Sequence, residues 1–240
     1  MPQVTGDWGT MLQNLSPLIA EQRDYDSQEQ ADLAKQHIAS LNSDQHLAFD
    51  KIIPAVTNST GEAFFLHGPG GTGKTYLYNT LYYELRSEIK IVFCVASSGI
   101  ASLLLKGGRT VHLRFKVPIP IHQESHCNIP KNSQLADLIR QANLVIWDEA
   151  PMQHRHIIEA VDRTFRDLCD SNKPFGGLTV VFGGDFQQIL PVILKGSCYT
   201  PSLIFGARAT YLYYFVSSMS TYHLCVLPAC LSMLPDSFWT

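Results

Sequence analysis

The sequence lacks the cysteine spacings that hold a zinc ion or a disulfide framework. Its six cysteines are scattered along the chain, and no two of them form a CxxC pair. This arrangement excludes a zinc ribbon and a disulfide-rich secreted domain. Reduced thiols in an intracellular protein are the simpler interpretation.

A basic composition is also absent. The chain has 18 Lys and Arg residues against 21 Asp and Glu residues, which gives a formal net charge of −3. This balance excludes nucleic-acid binding through overall positive charge, but it allows a local basic groove, because a phosphate-binding face can coexist with acidic faces elsewhere. With 240 residues, 45% of them hydrophobic, the chain can bury the core of one large domain.

The first residues contain no targeting signal. MPQVTGDWGT has neither a basic segment followed by an apolar one nor an Arg-rich amphipathic pattern, so we expect no secretory or organellar presequence. A run without Asp, Glu, Lys or Arg extends from 209 to 235 and is long enough to span a bilayer. Serine, threonine and histidine in its middle, followed by Pro228, argue against a membrane-spanning helix.

Short apolar runs alternate with helical patterns in the middle of the chain. Strands are indicated by AFFLHG, KIVFCVAS, NLVIWDEA and LTVVFGGD, and helices by TYLYNTLYYELR, SGIASLLLKGG, LADLIRQA and HRHIIEAVDRTFRDLCD. This alternation predicts an α/β fold, a mostly parallel sheet with helices on both faces. Ligands of such sheets bind beyond the carboxyl ends of the strands.

The segment before this region is polar. SQEQADLAKQHIAS has weak helical spacing and predicts a surface helix within a lead-in of residues 1–40. Ser43 is the expected N-cap of the next helix, through DQHLAFDKII, and Pro54 is expected to end that helix.

The strongest local signal is a glycine-rich loop between a predicted strand and a predicted helix. It fits the pattern GxxxxGK[ST] with Gly68, Pro69, Gly70, Gly71, Thr72, Gly73, Lys74 and Thr75. Glycines let backbone N–H groups surround phosphates, and the following helix offers its positive end. The Lys74 ammonium can reach the β- and γ-phosphates, and the Thr75 hydroxyl can bind Mg²⁺. The alternative is a glycine-rich turn that binds nothing.

Two further polar clusters follow predicted strands. Asp148 can hold Mg²⁺ directly or through water, and Glu149 beside it can polarise an attacking water. Gln188 can hydrogen-bond the γ-phosphate or that water, although a glutamine after a Gly-Asp turn is also an ordinary loop feature. Together with the loop, these residues predict hydrolysis of a nucleotide.

The order of these motifs resembles the superfamily-one DNA helicases of the petite-integration-frequency type, and among them the plant and Helitron transposon helicases. The likeness covers residues 41 to about 195. It is carried by LNSDQHLAFD, HGPGGTGKT, SSGIASLLLKGGRTVHLRFKVPIP, CNIPKNSQLADLIRQANLVIWDEAPM and GGDFQQILPVI. The resemblance implies a RecA-like P-loop ATPase lobe over 41–195, with ATP and Mg²⁺ as cofactors.

The resemblance also implies residue roles. Gln45 would read the adenine edge, Gly68 to Thr75 would bind phosphate, and Thr75 and Asp148 would hold Mg²⁺. Glu149 would be the catalytic base, and Gln188 would couple the γ-phosphate to motion. The implied activity is ATP-driven 5′-to-3′ movement on single-stranded DNA and unwinding of duplex junctions, in repair, recombination or transposition. The implied location is the nucleus, and the oligomeric state is left open.

A DNA contact is expected after the short helix SGIASLLLKGG. His112, Arg114, Phe115 and Lys116 interleave basic and flat side chains, which suits backbone phosphates and a stacked base. A solvated loop with a buried phenylalanine is the alternative. His154 and His156 near the acids could bind a metal, but exposed residues at a helix start are the simpler interpretation.

The likeness to the family ends after LPVILKG. Residues 196–240 form an apolar tail with almost no charge, and our hypothesis is that this tail is not in the native reading frame. The family implies a second lobe that supplies an arginine to the γ-phosphate, a contribution of about 10³-fold or more to phosphoryl transfer. A truncated ATP-binding fragment without helicase activity is therefore the alternative function. A clamp-loader or chaperone ATPase is disfavoured by GGDFQQILPV and by Gln45.

Overall fold

The computed structural model describes residues 17–185, residue 188 and residues 222–226. The strands are β1 (Ala63–His67), β2 (Ile91–Ala96), β3 (Arg109–Thr110), β4 (Ala142–Asp148), β5 (Thr179–Gly184) and β6 (Tyr222–Val226). The helices are α1 (Pro17–Arg23), α2 (Ser27–Ala39), α3 (Ser43–Thr57), α4 (Lys74–Ser87), α5 (Gly99–Leu104), α6 (Val111–Phe115), α7 (Gln134–Arg140) and α8 (Arg155–Leu168). Short 3-10 helices occupy Ala150–Met152 and Pro174–Gly177.

The described strands form one sheet in the order β3-β2-β4-β5-β1-β6. Each neighbouring pair is parallel, which confirms the predicted fold class. Strand β1 is internal, because Ala63 pairs with Val180 of β5 on one side and with Tyr222 of β6 on the other. The carboxyl ends of β1, β4 and β5 therefore lie along the same edge of the sheet.

The core lies on both faces of the sheet. Phe93, Trp147 and Phe182 pack on one face with residues of α6, α7 and α8. Phe64 and Ile146 pack on the opposite face with residues of α3 and α4. Alternate residues of one strand point to opposite faces, so strands that are covered on both sides appear in the sequence as continuous apolar runs.

Helix α4 has the predicted apolar stripe. Leu77, Leu81 and Leu85 are all fully buried, and burial of such a side chain contributes about 1.5–3 kcal/mol. This packing holds the start of α4, and with it the end of the glycine-rich loop, against the sheet.

The N-terminus of α3 differs from the prediction. The N-cap is Asn42 rather than Ser43, and its side-chain oxygen accepts hydrogen bonds from the backbone N–H groups of Asp44 and Gln45. The Gln45 side-chain oxygen accepts in return from the Asn42 N–H at 3.0 Å. This reciprocal pair is a capping box, in which the Gln45 side-chain oxygen is bonded to the start of the helix.

The C-terminus of α3 also differs from the prediction. Pro54 lies inside the helix, which continues to Thr57. Proline lacks an N–H and removes one internal hydrogen bond. Its carbonyl still accepts from the Asn58 N–H at 2.9 Å, so the final turn closes despite the proline.

The polar segment before residue 40 contains the predicted surface helix as α2. The His37 ring stacks on Tyr76 of α4 with centroids 4.6 Å apart, and the Tyr76 hydroxyl donates to the His37 carbonyl at 3.2 Å. Before α2, the Tyr25 hydroxyl donates to the Arg86 carbonyl at 2.8 Å. These contacts attach the lead-in to α4.

Among the described residues, no helix is long and apolar enough to cross a membrane. The uncharged run from 209 to 235 lies outside the described residues, apart from the five that form β6. In the described part of the chain, Cys94, Cys127 and Cys169 are free thiols. Burial raises the pKa of the Cys94 thiol to about 12, so it is inert at neutral pH.

Candidate active site

The glycine-rich loop joins β1 to α4. Gly71 and Gly73 have φ values of +83° and +84°, in the left-handed region that glycine enters without a steric cost. Gly73 is the N-cap of α4, and the Thr72 hydroxyl closes the loop by donating to the Pro69 carbonyl at 2.9 Å. The first N–H groups of α4 and the positive end of the helix dipole therefore lie at the loop, an arrangement that can bind an anion.

Lys74 is the first residue of α4, and its side chain folds back over the loop. Its ammonium group donates to the carbonyl oxygens of Gly68 and Pro69. Its charge also lowers the pKa values of Asp148 and Glu149 against the opposing effect of burial. Lys74 thus lies between the loop and the two acids.

Asp148 ends β4 and is 6% exposed. Burial raises its pKa and outweighs the Glu149 backbone N–H, the Lys74 charge and the Tyr78 hydroxyl, which lower it. The Asp148 Oδ1 atom is buried and has no hydrogen-bond partner among the described residues. A buried carboxylate oxygen of this kind needs a compensating cation or donor, and oxygen ligands of this type suit Mg²⁺.

Glu149 follows β4 with a left-handed backbone, at φ +53°. Its carbonyl accepts a hydrogen bond from the Ser97 hydroxyl at 2.7 Å. Burial raises the pKa of the Glu149 carboxyl, and repulsion from Asp148 and Asp185 raises it further. A non-glycine residue in this region costs about 1–3 kcal/mol, and such strain is typical of functional sites.

The end of β5 supplies the third cluster. Asp185 is buried, and its charge raises the pKa of the Glu149 carboxyl. Burial lowers the pKa of the His67 imidazole, and the charge of Asp185 opposes this effect. The Gln188 side-chain nitrogen lies 3.3 Å from the position that a β-carbon on Gly70 would occupy. Gln188 therefore lies against the glycine-rich loop, and its role there remains a prediction.

Gln45 makes a contact that the sequence did not reveal. Its side-chain nitrogen donates to the carbonyl oxygens of Thr72 and Gly73 at 3.4 and 3.5 Å, while its oxygen holds Asn42. Gln45 thus connects α3 to the glycine-rich loop. The spacing of Asn42 and Gln45 matches a capping box and could have indicated half of this arrangement. The adenine contact expected of Gln45 remains a prediction.

We expect Gln45→Ala to lower the free energy of unfolding by about 1–2 kcal/mol, because it removes the capping box and both bonds to the loop. Gln45→Glu is the matched control, since a carboxylate still accepts from Asn42 but cannot donate to Thr72 or Gly73. Urea unfolding should rank the wild type above Gln45→Glu and Gln45→Glu above Gln45→Ala. Equal stability of all three chains would contradict the linking role.

Two of the four residues expected to contact DNA are in the core. Phe115 is fully buried and packs edge-on against Phe93 and Phe165, with centroids 5.9 and 5.0 Å away. Arg114 is 8% exposed, and its guanidinium lies 5.1 Å over the Phe93 ring and donates to the Gly107 carbonyl. The expectation that these two side chains contact DNA is corrected, because neither one is available at the surface.

The other two residues of that segment remain accessible. Lys116 is exposed and follows α6 as its C-cap with φ +53°, and His112 is partly buried one turn earlier. Arg109 in β3 is exposed as well. These side chains are the basic groups of this segment that can reach a phosphate.

The two histidines at the start of α8 do not form a metal site. The His154 ring accepts a hydrogen bond from the His156 N–H at 3.2 Å as the N-cap of α8. The His156 ring pairs with Glu159 at 2.9 Å. The described residues contain no group of three or more His, Cys, Asp or Glu side chains that could hold a metal.

A model of the PIF1-like helicase family matches residues 40–218, well over half of the chain. The chain belongs to the PIF1-like helicase family. The match begins near α3 and continues to residue 218, so the expectation that the likeness to the family ends after LPVILKG is wrong. The reading-frame hypothesis for 196–240 remains a prediction, since most of that segment lies outside the described residues.

Curated relatives share this family. The chain is 32% identical over 152 residues to ATP-dependent DNA helicase Pif1 of Psychrobacter sp. (strain PRwf-1). The aligned region covers 62% of this chain and 23% of that protein. It is 33% identical over 171 residues to ATP-dependent DNA helicase Pif1 of Bdellovibrio bacteriovorus. That aligned region covers 69% of this chain and 36% of the Bdellovibrio protein. The chain thus spans well under half the length of these two PIF1-like helicases.

Solved PIF1-like structures share the fold. Unliganded Pif1 from Bacteroides sp. superimposes with a TM-score of 0.57 at 27% identity, over 78% of this chain and 41% of that chain. Bacteroides sp. Pif1 in complex with ADP-AlF4 superimposes with a TM-score of 0.55 at 25% identity, over 83% of this chain and 44% of that chain. The described fold therefore corresponds to part of those PIF1-like molecules.

Proposed function

We propose that this chain is the ATP-binding motor lobe of a DNA helicase and that it hydrolyses Mg-ATP. The supporting observation is the convergence of the glycine-rich loop, Lys74, Asp148, Glu149 and Gln188 at one edge of a parallel sheet. Family membership supports the same reading, because Bacteroides sp. Pif1 has been solved with ADP-AlF4. The lobe is assigned to 41–195 in this proposal, with 1–40 as a lead-in and 196–240 as a tail that adds one strand, β6, to the sheet.

The loop and α4 bind the phosphates in this proposal. Backbone N–H groups from Gly70 to Thr75 and the N-terminal end of α4 surround the anion. Lys74 exchanges its bonds to the loop carbonyls for bonds to the β- and γ-phosphates. Thr75 and Asp148 hold Mg²⁺, and the unpartnered Asp148 Oδ1 fits this assignment. When bound, Mg²⁺ neutralises charge that develops on the phosphates.

Two side chains act on the water and the γ-phosphate. Glu149 accepts a proton from the attacking water, and its burial next to Asp148 and Asp185 gives it a stronger basicity than an exposed glutamate. Gln188 lies against the loop at Gly70, within reach of a γ-phosphate bound there. Gln188 then reports the state of the nucleotide to the segment that follows β5.

The partner in this proposal is single-stranded DNA. Bacteroides Pif1 has been solved in complex with ADP-AlF3 and single-stranded DNA, and it is 25% identical to this chain. Exposed Lys116 and Arg109, with His112, are the side chains we assign to DNA phosphates. Resemblance to the family supports 5′-to-3′ movement, a nuclear location and a role in repair, recombination or transposition.

The test is ATP hydrolysis by the purified chain with and without single-stranded DNA, beside direct titration of a fluorescent ATP analogue. Glu149→Gln controls for contaminating ATPases. Turnover that rises with DNA and is lost in the control supports a motor lobe. Intact nucleotide binding without turnover would support the alternative of an ATP-binding module, and no nucleotide binding would refute both proposals.

We expect Lys116→Ala to weaken binding of a single-stranded oligonucleotide and to make the slope of log K against log salt shallower by about 0.7, the value for one lost phosphate contact. Fluorescence anisotropy at several salt concentrations measures this slope. Lys131→Ala is the control, because the Lys131 ammonium is already paired with Asp167 and Asp170. An unchanged slope in Lys116→Ala would rule out the assigned contact.

A further inference from the structure

Tyr78 is a fully buried tyrosine whose hydroxyl has no hydrogen-bond partner among the described residues. It lies on α4, one helical turn after Lys74 and on the same side of the helix. Its ring packs within the apolar cluster that includes Leu77 and Leu81. A phenylalanine would fill the same space without burying an unpaired hydroxyl, so packing does not account for the tyrosine.

The Tyr78 hydroxyl lies beside the carboxylate of Asp148, close enough to lower the pKa of the acid, but outside hydrogen-bond geometry. The position of Gly183 in β5 relates the two groups, because a β-carbon there would lie 1.5 Å from the Tyr78 oxygen and 3.5 Å from Asp148 Oδ1. The absent side chain of Gly183 therefore makes room for the tyrosine hydroxyl beside the acid. Asp148 Oδ1 is itself buried and unpartnered in the described part of the chain.

The charges agree with this geometry. Burial raises the pKa of the Tyr78 hydroxyl well above its ordinary value, and the negative charge of Asp148 raises it further. The hydroxyl is thus a potential donor beside a carboxylate that has an unpartnered oxygen.

We propose that Tyr78 is a positioning residue for the metal: its hydroxyl donates a hydrogen bond to the Asp148 carboxylate and fixes the rotamer in which that carboxylate holds Mg²⁺. This inference rests on the proposed function. Carboxylates that bind metals are themselves hydrogen-bonded, and loss of that partner typically reduces metal affinity 10–100-fold. Helix α4 then carries Lys74, Thr75 and Tyr78, and it sets the phosphate and metal positions as one rigid unit.

The test separates metal affinity from nucleotide affinity in Tyr78→Phe. The affinity for a fluorescent ADP analogue is measured by titration in Mg²⁺ and again in EDTA. The ratio of these two affinities gives the increase in nucleotide affinity that the metal causes. We expect Tyr78→Phe to reduce this ratio about 10-fold or more and to leave the affinity in EDTA unchanged. Tyr83→Phe is the matched control, because Tyr83 is a second buried tyrosine on α4 and lies outside the site.

A double variant makes the test independent of small effects on folding. In an Asp148→Asn background, Tyr78→Phe should cause no further change in the ratio, because both residues act through the same ligand. Equal losses of affinity with Mg²⁺ and with EDTA, or an unchanged ratio, would overturn the proposal while leaving the proposed function intact. A wild-type chain that binds no ADP under either condition would refute the proposed function, and this inference with it.

Discussion

Replacing Glu149 with glutamine should lower the rate of ATP hydrolysis by about 10²–10⁴-fold, the usual contribution of a positioned general base, and should leave ATP binding nearly unchanged. The amide keeps the size and the polarity of the side chain but cannot accept a proton from water. The left-handed backbone at Glu149, held by the Ser97 hydroxyl, is expected to persist, so the replacement side chain should occupy the same place.

Single-turnover hydrolysis and titration of an ATP analogue separate the two effects. Glu88→Gln is the matched control, because Glu88 lies at the far end of α4 and its side chain is 45% exposed. If Glu149→Gln hydrolyses ATP at the wild-type rate, another group must be the base. If it loses ATP binding to the same extent as turnover, Glu149 supports the site rather than the chemistry.

Replacing Lys74 with alanine should affect both binding and turnover. Hydrogen bonds from a charged donor contribute about 1.5–3 kcal/mol, so we expect affinity for ATP to fall by at least 10-fold. A donor that stabilises charge in the transition state adds about 10²–10³-fold in rate. The variant also removes the bonds from Lys74 to Gly68 and Pro69, but the loop keeps its attachments through Thr72 and Gln45.

The measurement is the dissociation constant for ATP together with the turnover number, and urea unfolding checks that the loop variant is folded. Lys51→Ala, an exposed position on α3, shows whether loss of any positive charge has the same consequence. Wild-type affinity and turnover in Lys74→Ala would contradict the nucleotide site itself. Loss of turnover with full affinity would limit the role of Lys74 to the transition state.

Features that depend on short stretches of sequence were predicted well. The strands β1, β2, β4 and β5 appear as apolar runs because both faces of the sheet are covered. The place of the glycine-rich loop between β1 and α4 follows from its GxxxxGK[ST] pattern after an apolar run. Asp148 and Glu149 were found because they interrupt an apolar run at the end of β4. Each of these signals lies within about ten residues of the chain.

Features that depend on distant contacts were not predictable. Arg114 and Phe115 lie in a segment that mixes basic and apolar residues, and the packing of α6 against Phe93 and Phe165 decides that both are buried. The contact between Gln45 and the loop joins residues 27 and 28 positions apart. Tyr78 appeared only as one more residue of an amphipathic helix, because its relation to Asp148 requires Gly183 of a third element.

The place of β6 beside β1 has a consequence for the order of folding. Strand β1 pairs with β5 on one side, but residues 185–221 must pass before β6 can pair on the other. Until then, the apolar strand that carries the glycine-rich loop has one edge with free N–H and C=O groups, a template for association with other chains. Pairing over a long sequence separation is slow. We therefore expect that, before β6 pairs, the strand that leads into the glycine-rich loop exposes an edge at which other chains can associate.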